Sequence, residues 1–205
     1  MGLHRLQGGD GRRQASEWII PAFFVLIGIM FAFAGDTGRD WLRYDRVWIG
    51  QGEIWRLISG HFVHLSWPHL ALNSAGLLLV WYLVGATHAL RSWLAIIACS
   101  LATIDLAFWF LNPNLYWYVG LSGLLHGMLA AGITSRLPSM DVETAILLLL
   151  LIAKVGWEQF AGPVPGSVLT SGGPVVVDAH LYGALGGVLG ALIARIRVKK
   201  SRAAI

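Results

Sequence analysis

Gly120-Leu121-Ser122-Gly123-Leu124-Leu125-His126-Gly127 opens an apolar segment of helical length, and Ala179-His180-Leu181-Tyr182-Gly183 opens another further along the chain. Neither a hydroxyl nor an imidazole belongs in an apolar run without a partner, and intramembrane ionisable groups usually mark a working site. A lone Ser in such a helix more often bonds a preceding carbonyl or a neighbouring helix. The pair is more informative, because a Ser and a His at hydrogen-bond distance supply a nucleophile and a base for acyl transfer. The spacing around them shows how they could meet. Gly123 and Gly127 are four apart on one segment, and Gly183 and Gly187 are four apart on the other. Small residues at i and i+4 let two helix backbones approach closely. The same pairs would also serve to pack two unrelated helices.

Composition says where these segments lie. Of 205 residues, 56% are hydrophobic and 13% charged, against about a quarter charged in soluble domains. Mean hydropathy is +0.65. Six apolar segments can be read, at 18–34, 62–84, 93–111, 121–137, 144–160 and 179–196, each approaching the ~20 residues a helix needs to cross a bilayer. The expectation is an all-α membrane protein, a six-transmembrane-helix bundle forming one domain over 1–205. Residues 1–17 would be an N-terminal tail, 18–196 the core and 197–205 a basic tail. The fourth segment is short, so its Ser end is expected to start below the membrane surface, within protein. Arg12-Arg13, an apolar run and Ala32-Phe33-Ala34 resemble a cleavable signal peptide, but removal would leave five spans, so this run is read as the first span.

The basic residues orient the bundle. With six spans, Arg5, Arg12, Arg13, Arg91, Arg136, Arg195, Arg197, Lys199, Lys200 and Arg202 share one side with both termini. Arg39, Arg43, Arg46, Arg56 and Lys154 are the remainder. The richer side is expected to be cytoplasmic. The Ser122 and His180 helix ends then face outward, with the loops at 35–57, 112–120 and 161–177. The net charge of +4 comes from chain ends beside apolar segments, not from an aromatic-interleaved basic face, so no nucleic-acid partner is expected. The first loop carries Trp41, Tyr44, Trp48 and Trp55 among charges, which suits a folded interfacial element. The Gly- and Pro-rich loop 161–177 reads as a cap over the site or as a plain connector.

A Ser nucleophile needs stabilisation of the oxyanion it creates. Ser122 lies at a helix start, where backbone N–H groups are free. His69 and Asn73 are four apart and share a helical face; an amide and an imidazole N–H are suitable donors, although they would equally tie helices together. No cofactor or metal is expected. Cys99 is alone, and His61 and His64 form a His-x-x-His pair without a His-Glu-x-x-His or a carboxylate pair beside it. Asp105 and Lys154 read as buried or snorkelling groups, and Asp178 as a loop-orienting residue.

Trp55-Arg56, His64-Leu65-Ser66-Trp67-Pro68-His69-Leu70-Ala71-Leu72-Asn73, Gly120-Leu121-Ser122-Gly123 and Ala179-His180-Leu181-Tyr182-Gly183 stand in the order found in rhomboid intramembrane serine proteases, and the resemblance covers all six segments. It implies Ser122 as nucleophile and His180 as general base, a dyad without a required third member. It implies His69, Asn73 and the Ser122 N–H as oxyanion donors, and Trp55-Arg56 as a structural first-loop motif. No role carries over to His61. Where an aromatic commonly stands four residues after the nucleophile, this chain has His126. Gly120–Gly127 is thereby similar to the rhombosortase subfamily, and His126 is expected to support His180, by stacking or hydrogen bonding, rather than replace it as base. That similarity implies as partners the lipid bilayer and secreted proteins whose C-terminal segment has a Gly-Gly motif, an apolar helix and a basic tail. The implied location is the bacterial inner membrane with both termini cytoplasmic. His64, Ser66, His69, Asn73 and His126 are expected to line a polar cavity. A catalytically silent client-binding relative is the alternative; such relatives typically lack the Ser or the His. A small transporter would need repeated halves, and no internal repeat is visible.

Overall fold

The computed structural model describes residues 18–203, and side chains as far as residue 196. The N-terminal tail 1–17 and the side chains of the basic tail at 197–205 lie outside that range. Helix α1 (Ile19–Phe33) leads into α2 (Gly35–Leu42), strand β1 (Tyr44–Asp45), α3 (Arg46–Gly50) and α4 (Arg56–Ser59). Helices α5 (Trp67–Val84) and α6 (Leu90–Leu111) follow, then β2 (Trp117–Tyr118), α7 (Ser122–Arg136), α8 (Val142–Ala161), α9 (Ser167–Ser171) and α10 (Asp178–Ala203).

Local chemistry sets the helix starts. Ser66 caps α5, its Oγ accepting the His69 N–H at 3.2 Å, and Pro68 occupies the first turn, where its missing N–H costs nothing. The second apolar segment therefore becomes helical at Trp67 rather than at residue 62. Asp141 caps α8 by accepting the Thr144 N–H at 2.8 Å, which holds its carboxyl below the usual range. Helix α10 runs on to Ala203, so residues 197–203 of the expected tail continue the last helix.

A helix falls within each of the six segments read as apolar, but not every one is of spanning length. Among the described residues, four regions are long and apolar enough to cross a membrane: Trp67–Thr87, Leu90–Leu111, Val142–Ala161 and Asp178–Ile196. Helices α1 and α7 have 15 residues each, or about 22 Å at 1.5 Å per residue, short of a ~30 Å core. Helix α7 tolerates this because it is enclosed. It is contacted by α5, α6, α8 and α10 and buries Gly123, Leu124, Leu125, Gly127, Met128, Ala130, Ala131, Gly132 and Ile133. Packing against these four neighbours removes the need for it to reach both faces.

The α7–α10 contact is made through glycine. A Cβ on Gly183 would overlap the Gly123 carbonyl, and one on Gly187 would overlap the Gly127 carbonyl. Cβ atoms on Gly123 and Gly127 would come within 2.9 Å of Ala179 O and 2.7 Å of Gly183 O. On another face of α10, Gly186 and Gly190 lie against the Ser100 and Ile96 Cα atoms of α6. Backbone thus meets backbone on two sides of the last helix.

The first loop is folded. Buried Arg56 donates to Glu53 Oε2 at 2.6 Å and to the carbonyls of Asp40 and Arg43 at 2.7 and 3.1 Å. Arg46 reaches the Phe108, Trp109 and Asn112 carbonyls and so satisfies the unpaired C-terminal end of α6. Strand β1 pairs antiparallel with β2, Tyr44 opposite Tyr118. This ties the first loop to the segment that leads into Ser122.

Because the Gly183 contact leaves no room for a methyl group, Gly183→Ala is expected to lower the unfolding midpoint in detergent, at a cost of about 1–3 kcal/mol or more. Gly156 of α8 has open space around its Cα, so Gly156→Ala is expected to be neutral or stabilising by up to ~1 kcal/mol. Equal effects of the two would contradict the close-contact account.

Candidate active site

The turn into α7 depends on Gly120. Its φ of 126° lies where side chains are strained. The His69 ring also lies against it, so that a Cβ there would sit 3.3 Å from His69 Nε2. Tyr118 Oη donates to the Gly120 carbonyl at 2.6 Å, and Gly120 N–H donates to Gly60 O at 3.1 Å. The turn is held from both sides. It delivers Ser122 as the first residue of α7, where the first-turn N–H groups have no intrahelical acceptor.

His180 sits in the first turn of α10, one turn before Gly183. The glycine contact carries it to Ser122, and Nε2 lies 2.8 Å from Ser122 Oγ. The other ring nitrogen, Nδ1, lies 2.7 Å from Glu158 Oε2 in the last turn of α8. A carboxylate only accepts, so Nδ1 carries the proton and Nε2 is the acceptor for the Ser hydroxyl. That is the tautomer a general base requires. Lys154, one turn earlier on α8, donates to Glu158 Oε1 at 2.7 Å. His180 and Glu158 are each 3% exposed. Glu158 is the site residue that the sequence reading missed.

His126 stacks on His180 with centroids 4.2 Å apart and planes 17° from parallel, and its Nδ1 donates to the Ser122 carbonyl at 2.7 Å. Leu65 N–H donates to His69 Nδ1 at 3.4 Å, which puts the His69 proton on Nε2, the atom facing Gly120. One Asn73 amide hydrogen goes to the His69 carbonyl at 3.3 Å, leaving the second free.

These side chains line one cavity of about 370 Å³: His69, Asn73, Ser122, His126, Lys154, Glu158 and His180, with Val164, Ser167, Ser171 and Val175 from the 161–177 segment. That segment is therefore part of the site's wall. It carries α9 between the left-handed glycines Gly166 and Gly172, and Ser66 Oγ anchors it by donating to Ser171 O at 3.0 Å. His64 and Ser66, expected at the same cavity, line a separate pocket with Phe31 and Arg39. The reason is the turn into α5, which points His69 toward Gly120 and leaves His64 edge-on behind it, 5.0 Å between centroids.

Several other polar residues have structural partners, although neither ring nitrogen of buried His64 is among the paired atoms. His61 Nε2 lies 3.1 Å from Asp105 Oδ1, so His61 and His64 are not joined as a His-x-x-His site. Asp178 accepts from Asn112 Nδ2 at 2.7 Å, and Asn112 in turn accepts from Tyr182 Oη. Donor atoms of His126, Glu158 and His180 lie within 4.8 Å of one another. The near-parallel stack keeps the two rings' in-plane lone pairs from converging, and the Lys154 ammonium lies 3.4 Å from His180 Nδ1. That is a poor cradle for a cation.

Fold and site together define a helical integral membrane protein with a buried Ser–His–carboxylate chain at one end of its bundle. Residues 51–197 match the Rhomboid domain, and the chain belongs to the rhomboid family. It is also similar to rhomboid protease GlpG of Salmonella choleraesuis (strain SC-B67), 29% identical over 117 residues, which is 55% of this chain and 40% of that protein. The chain thus matches two fifths of the length of that curated relative.

The hydrogen bonds fix a tautomer at His69 that can be read directly. In ¹⁵N NMR of the detergent-solubilised protein, His69 Nε2 is expected in the protonated range and Nδ1 in the unprotonated range. The reverse assignment would remove Nε2 as a donor.

Proposed function

We propose that this chain is an intramembrane serine endopeptidase that cuts membrane-anchored proteins near the outer face of the bilayer. The observation that carries the reading is the 2.8 Å contact between Ser122 Oγ and His180 Nε2 at a cavity also lined by His69 and Asn73. Membership of the rhomboid family supports it. Ser122 Oγ attacks the scissile carbonyl carbon as its proton passes to His180 Nε2. The oxyanion is met by His69 Nε2–H, the free Asn73 amide hydrogen and the N–H groups that start α7. His180 gives its proton to the departing amine, an acyl-enzyme remains on Ser122, and water resolves it through the same base.

The substrate would be a helix that unwinds locally, since a helix sequesters its carbonyls in hydrogen bonds. Glycines make unwinding easier. The His126 signature supports clients with a C-terminal Gly-Gly motif, an apolar helix and a basic tail. Helices α1 and α7 would complete six spans with the four longer ones. The excess of Arg and Lys at the chain ends favours both termini on the cytoplasmic side of a bacterial inner membrane. A client with a cytoplasmic basic tail would then present the outer end of its helix to the site. The silent client-binding reading is disfavoured, because both Ser122 and His180 are present and in contact.

The test is to express such a client with this protein and map the new C-terminus by mass spectrometry. A cut at the outer end of the client helix is expected, abolished by Ser122→Ala, and blocked when both client glycines become Leu. Full processing by a folded Ser122→Ala protein would overturn the reading; a cytoplasmic cut, or equal processing of the Leu client, would overturn the orientation and the client class. Asn73→Ala and His69→Ala are each expected to lower turnover by about 10²–10³-fold, the scale for losing one oxyanion donor, with KM changing less. Unchanged turnover in both would assign them to helix tying alone.

A further inference from the structure

We propose that Glu158 is a positioning residue for the Ser122–His180 pair, making the unit a chain of Ser122, His180, Glu158 and Lys154 rather than a dyad. The inference rests on the reading of Ser122 and His180 as nucleophile and base.

Both carboxylate oxygens are engaged. Oε2 lies 2.7 Å from His180 Nδ1 and Oε1 lies 2.7 Å from Lys154 Nζ. The Glu158 side chain is 2% exposed and that of Lys154 40% exposed. A carboxylate so deeply buried is held ionised by a paired cation. A lysine that merely neutralised a stray acid would need one of its oxygens; here the second is aimed at the imidazole. With Nδ1 committed to Glu158, the ring cannot take the tautomer in which Nε2 holds the proton and Ser122 has no acceptor. The ring plane is fixed as well, by Glu158 at one edge and by the His126 stack on its face.

Proton bookkeeping gives Glu158 a second effect. When Ser122 Oγ bonds to the substrate carbon, its proton moves to Nε2 and the ring becomes an imidazolium. The Nδ1 proton stays where it is. Glu158 takes up no proton, and its charge 2.7 Å away stabilises the cation only while that cation exists. Lys154, 3.4 Å from Nδ1, opposes the imidazolium but keeps the carboxylate ionised. The net benefit therefore depends on Glu158 lying nearer the ring than Lys154 does, as it does here.

The test compares wild type, Glu158→Gln, Glu158→Asp and Ser122→Ala as purified full-length proteins. The reporter is a single-span protein with a Gly-Gly pair at the outer end of its helix and a basic tail, co-reconstituted in liposomes. Glu158→Gln is expected to lower kcat by roughly 10²–10⁴-fold, the range met when the carboxylate behind a catalytic His is neutralised, while KM changes by less than about threefold, as for an interaction made only in the transition state. Glu158→Asp keeps the charge and is expected to recover part of the loss. A readout independent of cleavage is the ¹⁵N NMR of His180. Nδ1 is expected to be protonated in wild type and in Ser122→Ala, with a mixture of tautomers in Glu158→Gln.

Wild-type kcat in Glu158→Gln, or an unchanged His180 tautomer there, would overturn the proposal. So would a loss in both variants that only follows a fallen unfolding temperature. If Glu158→Gln does not fold, Glu158→Asp with its kcat and spectrum decides. Should Ser122→Ala still cut, the protease reading fails, while the His180 spectra still decide whether Glu158 sets the tautomer.

Discussion

Helices α7 and α10 touch backbone to backbone, and the site exists because they do. Gly123 and Gly127 face Gly183 and Gly187 with no space for a methyl group between them. Interhelical contact in a membrane gains little from apolar burial, so close van der Waals approach has to hold the pair. The same approach sets the chemistry. Ser122 immediately precedes Gly123, and His180 lies one turn before Gly183, so the contact that joins the helices also brings Oγ to 2.8 Å from Nε2. A wider crossing would leave a hydroxyl and an imidazole facing each other across a gap.

Around that contact many polar groups are paired. The first loop does much of this. Arg46 satisfies the end of α6, Arg56 gathers the Glu53 side chain and two carbonyls, and the two-residue ladder of β1 and β2 leads into the Gly120 turn. Tyr118 and Gly60 then fix Gly120 from opposite sides. Below, the His61–Asp105 pair lies under Tyr118, the two rings edge to face at 5.4 Å. The loop is thus a rigid collar that sets where α7 begins, in keeping with its four aromatics. The site is built on the starts of three helices, α5, α7 and α10, and the end of a fourth, α8, elements that hold geometry better than free loops.

Much of the site was legible because its chemistry sits in short runs. Ser122 and His126 are one turn apart on one helix, His69 and Asn73 one turn apart on another, and the paired glycines announce the contact between the Ser and His helices. Glu158 was not legible in the same way. It lies near the end of a strongly apolar helix, four residues after Lys154, and such a pair reads equally as a surface ion pair or a snorkelling group. Only the placement of α8 beside α10 turns its second oxygen toward His180. The available signal was an acid and a base one turn apart close to the same helix end as Ser122 and His180. The shortness of α7 was legible in its short apolar run, and the packing of four helices around it lets it stop at 15 residues. The 161–177 segment, read as cap or connector, proves to be wall, because Gly166 and Gly172 fold a short helix that Ser66 pins beside the cavity.

The central claim is that the glycine-mediated contact makes Ser122 a nucleophile activated by His180. It is tested most directly by exposing the folded, detergent-solubilised protein to a fluorophosphonate and mapping the adduct by peptide mass spectrometry. The account predicts one adduct, on Ser122, absent from folded His180→Ala. No adduct on Ser122, or an adduct that forms equally fast without His180, would contradict it.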